Sequence, residues 1–403
     1  MLICYHQIRL MKSSGKKTGQ DLIILIFATL ILTTLVWLPH YFRLPNLFSL
    51  NFNTGFDAIY RNFDGLEYIV IAKTFYNPQA IANLPQSLSA TYYAAHFPGY
   101  SLLILLFAPL LGFLKSMLYV SLLFTTLSTI SFYFLIKHFN LTNHPLFLSL
   151  VFLILPARWL IVHSVGSAEP MFLFFVITSL YFFIKFEATH RPSFIFLTGL
   201  TGAAAQITRP PGILLFLALI FYLIWKLVYQ NQTNMVRRTI SMVITYSPLL
   251  LIPTTLLGIF YWYSLSYHDF FAYFHSGDNI HLTFPPFQVF NKNQFWVGSI
   301  WLEDVIYIFI LGLLGGLFLL KQKLYPLAFF VLTYLGASFF VAHRDISRYV
   351  LPIFPFVLIA FEKVLTSREF KIVLVILALA IYLYAQNFIL QNTAPIPNLQ
   401  VFN

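Results

Sequence analysis

Apolar residues along the chain fall into long blocks separated by short polar stretches. A helix needs about 20 apolar residues to cross a hydrocarbon layer about 30 Å thick. Blocks near that length lie at 22–38, 117–136, 145–163, 168–186, 192–207 and 211–229, and again at 240–264, 304–320, 325–342, 348–362 and 371–388. The pattern predicts an all-α polytopic membrane protein with about eleven transmembrane helices, forming a single integral membrane domain over residues 1–403. A further block, 99–114, is short and carries Pro109 and Gly112. It is either a twelfth span or a re-entrant or interfacial helix.

Composition agrees with this picture. The chain is 59% hydrophobic and 9% charged, with 46 Phe, 24 Tyr and 6 Trp, whereas soluble domains carry roughly 25% charged residues. A soluble globular protein is excluded, and the spans leave no room for a large soluble domain. The single cysteine, Cys4, excludes a disulfide framework or a cysteine-based metal cluster. Arg9, Lys12, Lys16 and Lys17 precede the first block as in a signal peptide. No small-x-small cleavage site follows, so that block is expected to be retained as a span.

The net charge of +11 would suggest nucleic acid in a soluble protein. Here the placement of the charges matters more, because Lys and Arg of short loops are retained on the cytoplasmic side. With 99–114 not crossing, one side collects Arg9, Lys12, Lys16, Lys17, Lys137, Lys185, Arg191, Lys226, Arg237, Arg238, Lys321, Lys323, Lys363, Arg368 and Lys371. These are 15 of the 24 basic residues, against four acids (Asp21, Glu187, Glu362, Glu369), while the other side balances nine against nine. If 99–114 crossed, the Lys226, Arg237, Arg238 cluster would be translocated. The expected topology is therefore a cytoplasmic tail at 1–21, outer loops at 39–98 and 265–303, and an outer tail at 389–403. The Asn140 and Asn231 sequons then fall on the cytoplasmic side and are discarded. Loop 265–303 is rich in Tyr, Phe, His and Trp, including Trp301, and suits the headgroup zone or a lid. No internal repeat is evident along the chain, and a prokaryotic plasma membrane is the expected location.

Ionisable residues at a membrane boundary are costly and mark candidate sites. On the outer side NFDGLEYIVIAKTFY places Asp64 at the start of an amphipathic segment, with Glu67 three residues on and Asp57 and Arg61 before it. Asp64 is either an N-cap or a cavity-facing carboxylate, and Glu67 and Asp57 suit a first helical turn. SVGSAEPMF brings Glu169 to the outer start of a span, where an ion pair with Arg158 is one reading. ITRPPG puts Arg209 in an outer turn, where it either snorkels to headgroups or binds a ligand. AHRDISRYVLPIFP adds His343, Arg344, Asp345 and Arg348. Guanidinium forks suit phosphate oxygens, and a nearby carboxylate suits a general base for a hydroxyl. The combination points to a lipid-linked phosphate leaving group and a hydroxyl nucleophile.

These segments, in this order, resemble the GT-C superfamily of polyprenol-phosphate-sugar-dependent glycosyltransferases, and within it the PIG-V-like mannosyltransferases. NFDGLEYIVIAKTFY resembles the family's Trp-Asp-Gly segment, HFPGYSLLI at His96 its Phe-Pro-Leu-Tyr-Pro segment, and SVGSAEPMFLFF its Tyr-Thr-Glu segment. ITRPPGILL resembles Thr-Arg-x-x-Gly and DISRYVLPIFP resembles Pro-Arg-Tyr-x-Leu-Pro; DFFAYFHSGDNI is a looser match to the large outer loop. Phe63 stands where the family has Trp, Gly99 replaces a Leu, and Glu169 lacks the preceding Tyr-Thr. The resemblance implies inverting transfer of a hexose, mannose first, from a polyprenol-phosphate sugar to a lipid, glycan or protein acceptor. Asp64 would be the catalytic base, Arg209, Arg348 and Arg344 would bind the donor phosphate, and Glu67, Glu169, His96 and His343 would line the cavity. Membrane lipids are the expected surroundings, with no nucleic acid. No metal is assigned, although Asp64, Glu67 and Glu169 are possible oxygen ligands for a divalent ion. A transporter or flippase of lipid-linked sugars is the alternative, and a non-catalytic assembly subunit a third reading.

Overall fold

A computed structural model describes residues 15–84, 88–229, 235–277, 282–298, 302–394 and 399–402. Cys4, Arg9, Lys12, the Asn231 sequon and Trp301 lie outside the described residues. Each predicted apolar block is helical. The first is α1 (Gly15–Tyr41), and the loop that follows holds three short helices, α2 (Asp57–Tyr60), α3 (Gly65–Thr74) and α4 (Pro78–Ala82). Next come α5 (Gly99–Leu111), α6 (Phe113–His138), α7 (Pro145–Ile154), α8 (Ala157–His163), α9 (Glu169–Thr189), α10 (Pro192–Thr208) and α11 (Gly212–Tyr229). The series continues through α12 (Met235–Tyr246), α13 (Leu251–Tyr267), α14 (Glu303–Lys321) and α15 (Tyr325–Ser338). It closes with α16 (Ile346–Tyr349), α17 (Phe354–Ala360), α18 (Glu362–Leu365) and α19 (Arg368–Gln391).

Among the described residues seven helices are long and apolar enough to cross a membrane, or eight if the bent pair α7–α8 is one span. The chain is an integral, multi-pass membrane protein. Fewer spans are continuous than the eleven apolar blocks suggest, and prolines break two of the blocks. Pro156 separates α7 from α8, which meet at 76°, because a proline ring removes a backbone donor and clashes with the preceding turn. Pro352 and Pro355 likewise divide the 346–360 segment into α16, a 3-10 turn and α17.

The 99–114 block forms a helix of 13 residues, about 20 Å long at 1.5 Å per residue and short of a full crossing. Its first turn lies beside the early turns of α6, where the Tyr100 hydroxyl donates to Met117 O at 2.7 Å. The two helices form a hairpin about Gly112, whose φ of +74° is left-handed and favours glycine.

Polar pairs sort the helix ends into two sets. Lys137 bonds to Asp21, Lys226 to Glu187, Thr142 to Glu362 and Gln322 to Ala360 O. At the other ends Trp37 bonds to Ser164 O, His40 to Gln386, Asn62 to Ile389 O and Arg348 to Asp64. None of these pairs mixes the two groups of residues that charge counting separates. One apolar core joins α6, α7, α9, α11, α15 and α17, and a second surrounds α3 and α5. Helix α3 differs from the amphipathic surface helix expected there, since eight of its ten residues are buried. Gly65 permits this depth: a Cβ there would meet Met117 Sδ at 2.8 Å and Gly166 O at 3.1 Å.

Candidate active site

Four charged side chains from four separate segments meet at one end of the bundle. Arg348, in α16, donates from Nη2 to Asp64 Oδ2 at 2.7 Å and from Nε to Glu169 Oε1 at 2.5 Å. Arg209 brings Nη1 to 3.1 Å from the same Glu169 oxygen. Two carboxylates and two guanidiniums therefore share a single cluster. Glu169 opens α9 and Arg209 follows the last turn of α10. Close packing holds the rim together: at Gly99 a Cβ would meet Ile207 O at 2.9 Å.

Exposure divides the four. Arg348 and Glu169 are almost completely buried, whereas the Asp64 side chain keeps 31% of its accessibility. Asp64 sits at the N-cap position of α3 but makes no side-chain capping bond. Its oxygen is committed to Arg348, so the simple N-cap reading fails. Burial acts to raise the Asp64 pKa, yet Arg348 and then His96 more than offset this and hold it below the usual carboxylate value. His96 Nε2 lies 3.9 Å from Asp64 Oδ2, and burial lowers its pKa despite that neighbour.

Glu67 has the opposite character. Burial and then the Asp64 charge push its pKa up to about 8, which favours the protonated form. Its Oε2 is buried with no hydrogen-bond partner among the described residues. His343 packs edge-on against Tyr349 at 5.1 Å, and burial followed by Arg348 and Arg344 lowers it to about 4. Arg344 stands apart from the cluster, exposed, with its guanidinium 5.6 Å from the Phe295 ring.

The geometry decides two alternatives that the sequence leaves open. Arg158 is ion-paired with Asp345 and not with Glu169, which is taken by Arg348 and Arg209. Arg209 is buried and does not snorkel. Sequence reasoning also missed several contributors. Ser167 donates its hydroxyl to Glu169 Oε2, and Tyr68 packs edge-on against His96 at 5.3 Å. Phe63 lies 4.2 Å from the Arg348 guanidinium, a cation–π distance. The aromatic position before Asp64 carried that signal, since any flat ring there can face a guanidinium.

Among the described residues no group of three or more His, Cys, Asp or Glu is placed to hold a metal ion. Asp64 and Glu169 turn to Arg348 instead, so the oxygen-ligand set of Asp64, Glu67 and Glu169 does not assemble.

No protein-family model and no curated protein sequence matches the chain. Among solved structures it is similar to the apo crystal structure of ArnT from Cupriavidus metallidurans, with a TM-score of 0.55 and 14% identity over 96% of this chain and 68% of that one. At that identity the likeness is one of fold: the chain shares the all-helical, polytopic architecture of that structure.

Proposed function

We propose that the protein is a glycosyltransferase that moves a hexose, mannose first, from a polyprenol-phosphate sugar to an acceptor hydroxyl on the outer face of the membrane. The observation that carries this reading is the partly open Asp64 carboxylate bonded to a buried arginine that also holds Glu169. ArnT is itself a GT-C glycosyltransferase, and the shared fold supports the same class of reaction.

In this mechanism Arg348 and Arg209 receive the donor phosphate, whose oxygens match the guanidinium forks. The acceptor oxygen attacks the anomeric carbon as the bond from that carbon to the phosphate oxygen breaks. The bonding pair leaves with the phosphate, Asp64 takes the hydroxyl proton, and the anomeric configuration inverts. The guanidiniums offset the extra negative charge that develops on the leaving phosphate. The acceptor is a lipid, glycan or protein hydroxyl.

Location within the bundle favours an enzyme over a transporter of lipid-linked sugars. A transporter gathers its polar groups near mid-depth on broken helices, whereas Asp64, Glu169, Arg209 and Arg348 all lie at helix ends. The excess of Lys and Arg at the opposite ends supports an outer location for the site. The test is transfer from polyprenol-phosphate mannose and other hexoses by purified protein in nanodiscs. Asp64→Asn should leave the fold intact and lower turnover about 100- to 10,000-fold, the usual worth of a general base. Unchanged turnover in that variant would remove the base assignment.

A further inference from the structure

Residues 62 and 63, which lead directly into Asp64, are fastened to a segment more than three hundred positions away. Asn62 is fully buried. Its Nδ2 donates to Ala58 O at 2.9 Å and to Ile389 O at 2.8 Å, and its Oδ1 accepts from Asn392 Nδ2 at 3.3 Å. Asn62 also forms an isolated antiparallel bridge with Thr393, and Ala394 N donates to Arg61 O at 2.9 Å.

Phe63 is held just as closely. Its φ of +46° is left-handed, a costly conformation for an aromatic residue that persists only where the surroundings impose it. The Phe63 ring stacks on Phe388 of α19 at 5.5 Å. Arg158 lies 3.8 Å from the Phe388 ring and is ion-paired with Asp345, three positions before Arg348. Contacts thus close into a ring that runs Asp64, Arg348, Asp345, Arg158, Phe388, Phe63 and back to Asp64. At the other end of α3 Lys73 Nζ donates to Val401 O at 2.9 Å, and Phe402 is buried in the adjoining core. Helix α3 is gripped at one end by residues 388–394 and at the other by residues 401–402.

We propose that Asn62 is a positioning residue for the transfer reaction, acting by clamping the Asp64 loop to the end of α19 and the 392–394 segment. The proposal rests on the transferase reading above. Asn62 touches none of the four charged groups, so its effect passes through the backbone that carries Asp64. Freeing residues 62 and 63 lets the carboxylate drift from Arg348, and a misplacement of about 1 Å costs on the order of 100-fold in rate.

Asn62→Ala and the milder Asn392→Ala, which removes one bond at a half-buried residue, are compared with wild type in nanodiscs by two readouts. The first is kcat against donor KM. The clamp predicts a kcat about 10- to 100-fold lower in Asn62→Ala, with donor KM within about twofold, because the arginines stay in place. The second is amide hydrogen exchange, which should quicken over Gly65–Thr74 and stay unchanged over Glu169–Thr189. Unchanged exchange over α3 in both variants, or wild-type kcat per folded Asn62→Ala molecule, overturns the clamp. If wild type itself transfers no sugar, the transferase reading fails on its own, and exchange over α3 still decides whether the clamp exists.

Discussion

Two buried acid clusters sit at opposite ends of the same bundle, and they differ in how completely the carboxylate is enclosed. Glu187, at the C-terminal end of α9, accepts from Lys226 at 2.5 Å, from Tyr222 at 2.7 Å and from Tyr246, and its side chain is 1% exposed. Both of its oxygens are capped by a cation and two phenols, and nothing is left to react. Glu169, at the first turn of the same helix, is enclosed in a similar way by Arg348, Arg209 and Ser167. Asp64 is the exception, since it draws on the same arginine yet stays partly open. Burying an ion pair is weak evidence of function, because fastening helices together explains it equally well. An accessible carboxylate added to an already compensated pair is the distinguishing feature, and of these two clusters the one around Arg348 has it.

The largest effect that would sharpen this contrast comes from Arg348→Ala. Removing one partner of a buried pair typically costs about 3–5 kcal/mol, and here both Glu169 and Asp64 lose a partner. Thermal unfolding in nanodiscs should show that loss, and donor KM should rise about 10-fold or more while acceptor KM moves far less. Equal donor affinity in variant and wild type would make the two clusters equivalent structural locks. A smaller effect is expected from Glu187→Gln, which keeps the shape and removes the charge facing Lys226. Stability should fall by about 1–3 kcal/mol, with transfer per folded molecule unchanged. A specific loss of transfer would mean that the closed cluster also serves the reaction.

The smallest effect is a pH slope, at most about 1.4 kcal/mol per pH unit for one group. Glu67 has its pKa raised from 4.5 to about 8 in the folded protein. Between those values the folded state binds more protons than the unfolded one, so this group makes stability fall as pH rises from about 4.5 to about 8. Glu67→Gln should flatten that portion of the melting-temperature profile and raise stability at pH 8 relative to wild type. Asp64 acts in the opposite sense, because its lowered pKa contributes stability above its unfolded value that is lost as pH falls through the folded one. An unaltered slope in Glu67→Gln would show that Glu67 is solvated and not buried beside Asp64.

How much of this could be read in the sequence follows from what hydropathy encodes. Block length and basic-residue placement give depth and side, and that sufficed to bring Asp64, Glu169, Arg209 and Arg348 to one end. Rotation about a helix axis is much harder to read, because spans such as α9 are apolar nearly all round. For that reason the partner of Arg158 stays open in the sequence: Glu169 and Asp345 are both at its depth, and only packing chooses Asp345. Continuity was also hidden, since 145–163 reads as one block although Pro156 turns the chain through 76°. The role of Asn62 left no local trace at all. A buried asparagine before Phe63 looks like any loop residue until Ile389 and Asn392 fold back onto it.

That return contact also governs biosynthesis. Asn62 and Ile389 are 327 positions apart, and ribosomes add about 5–20 residues per second. The acid-bearing loop therefore waits roughly 15–65 s after its own translation before the segment that secures it has been made. Throughout that interval the Asp64 carboxylate has yet to meet Arg348, 284 positions further on, and Phe63 has yet to meet Phe388.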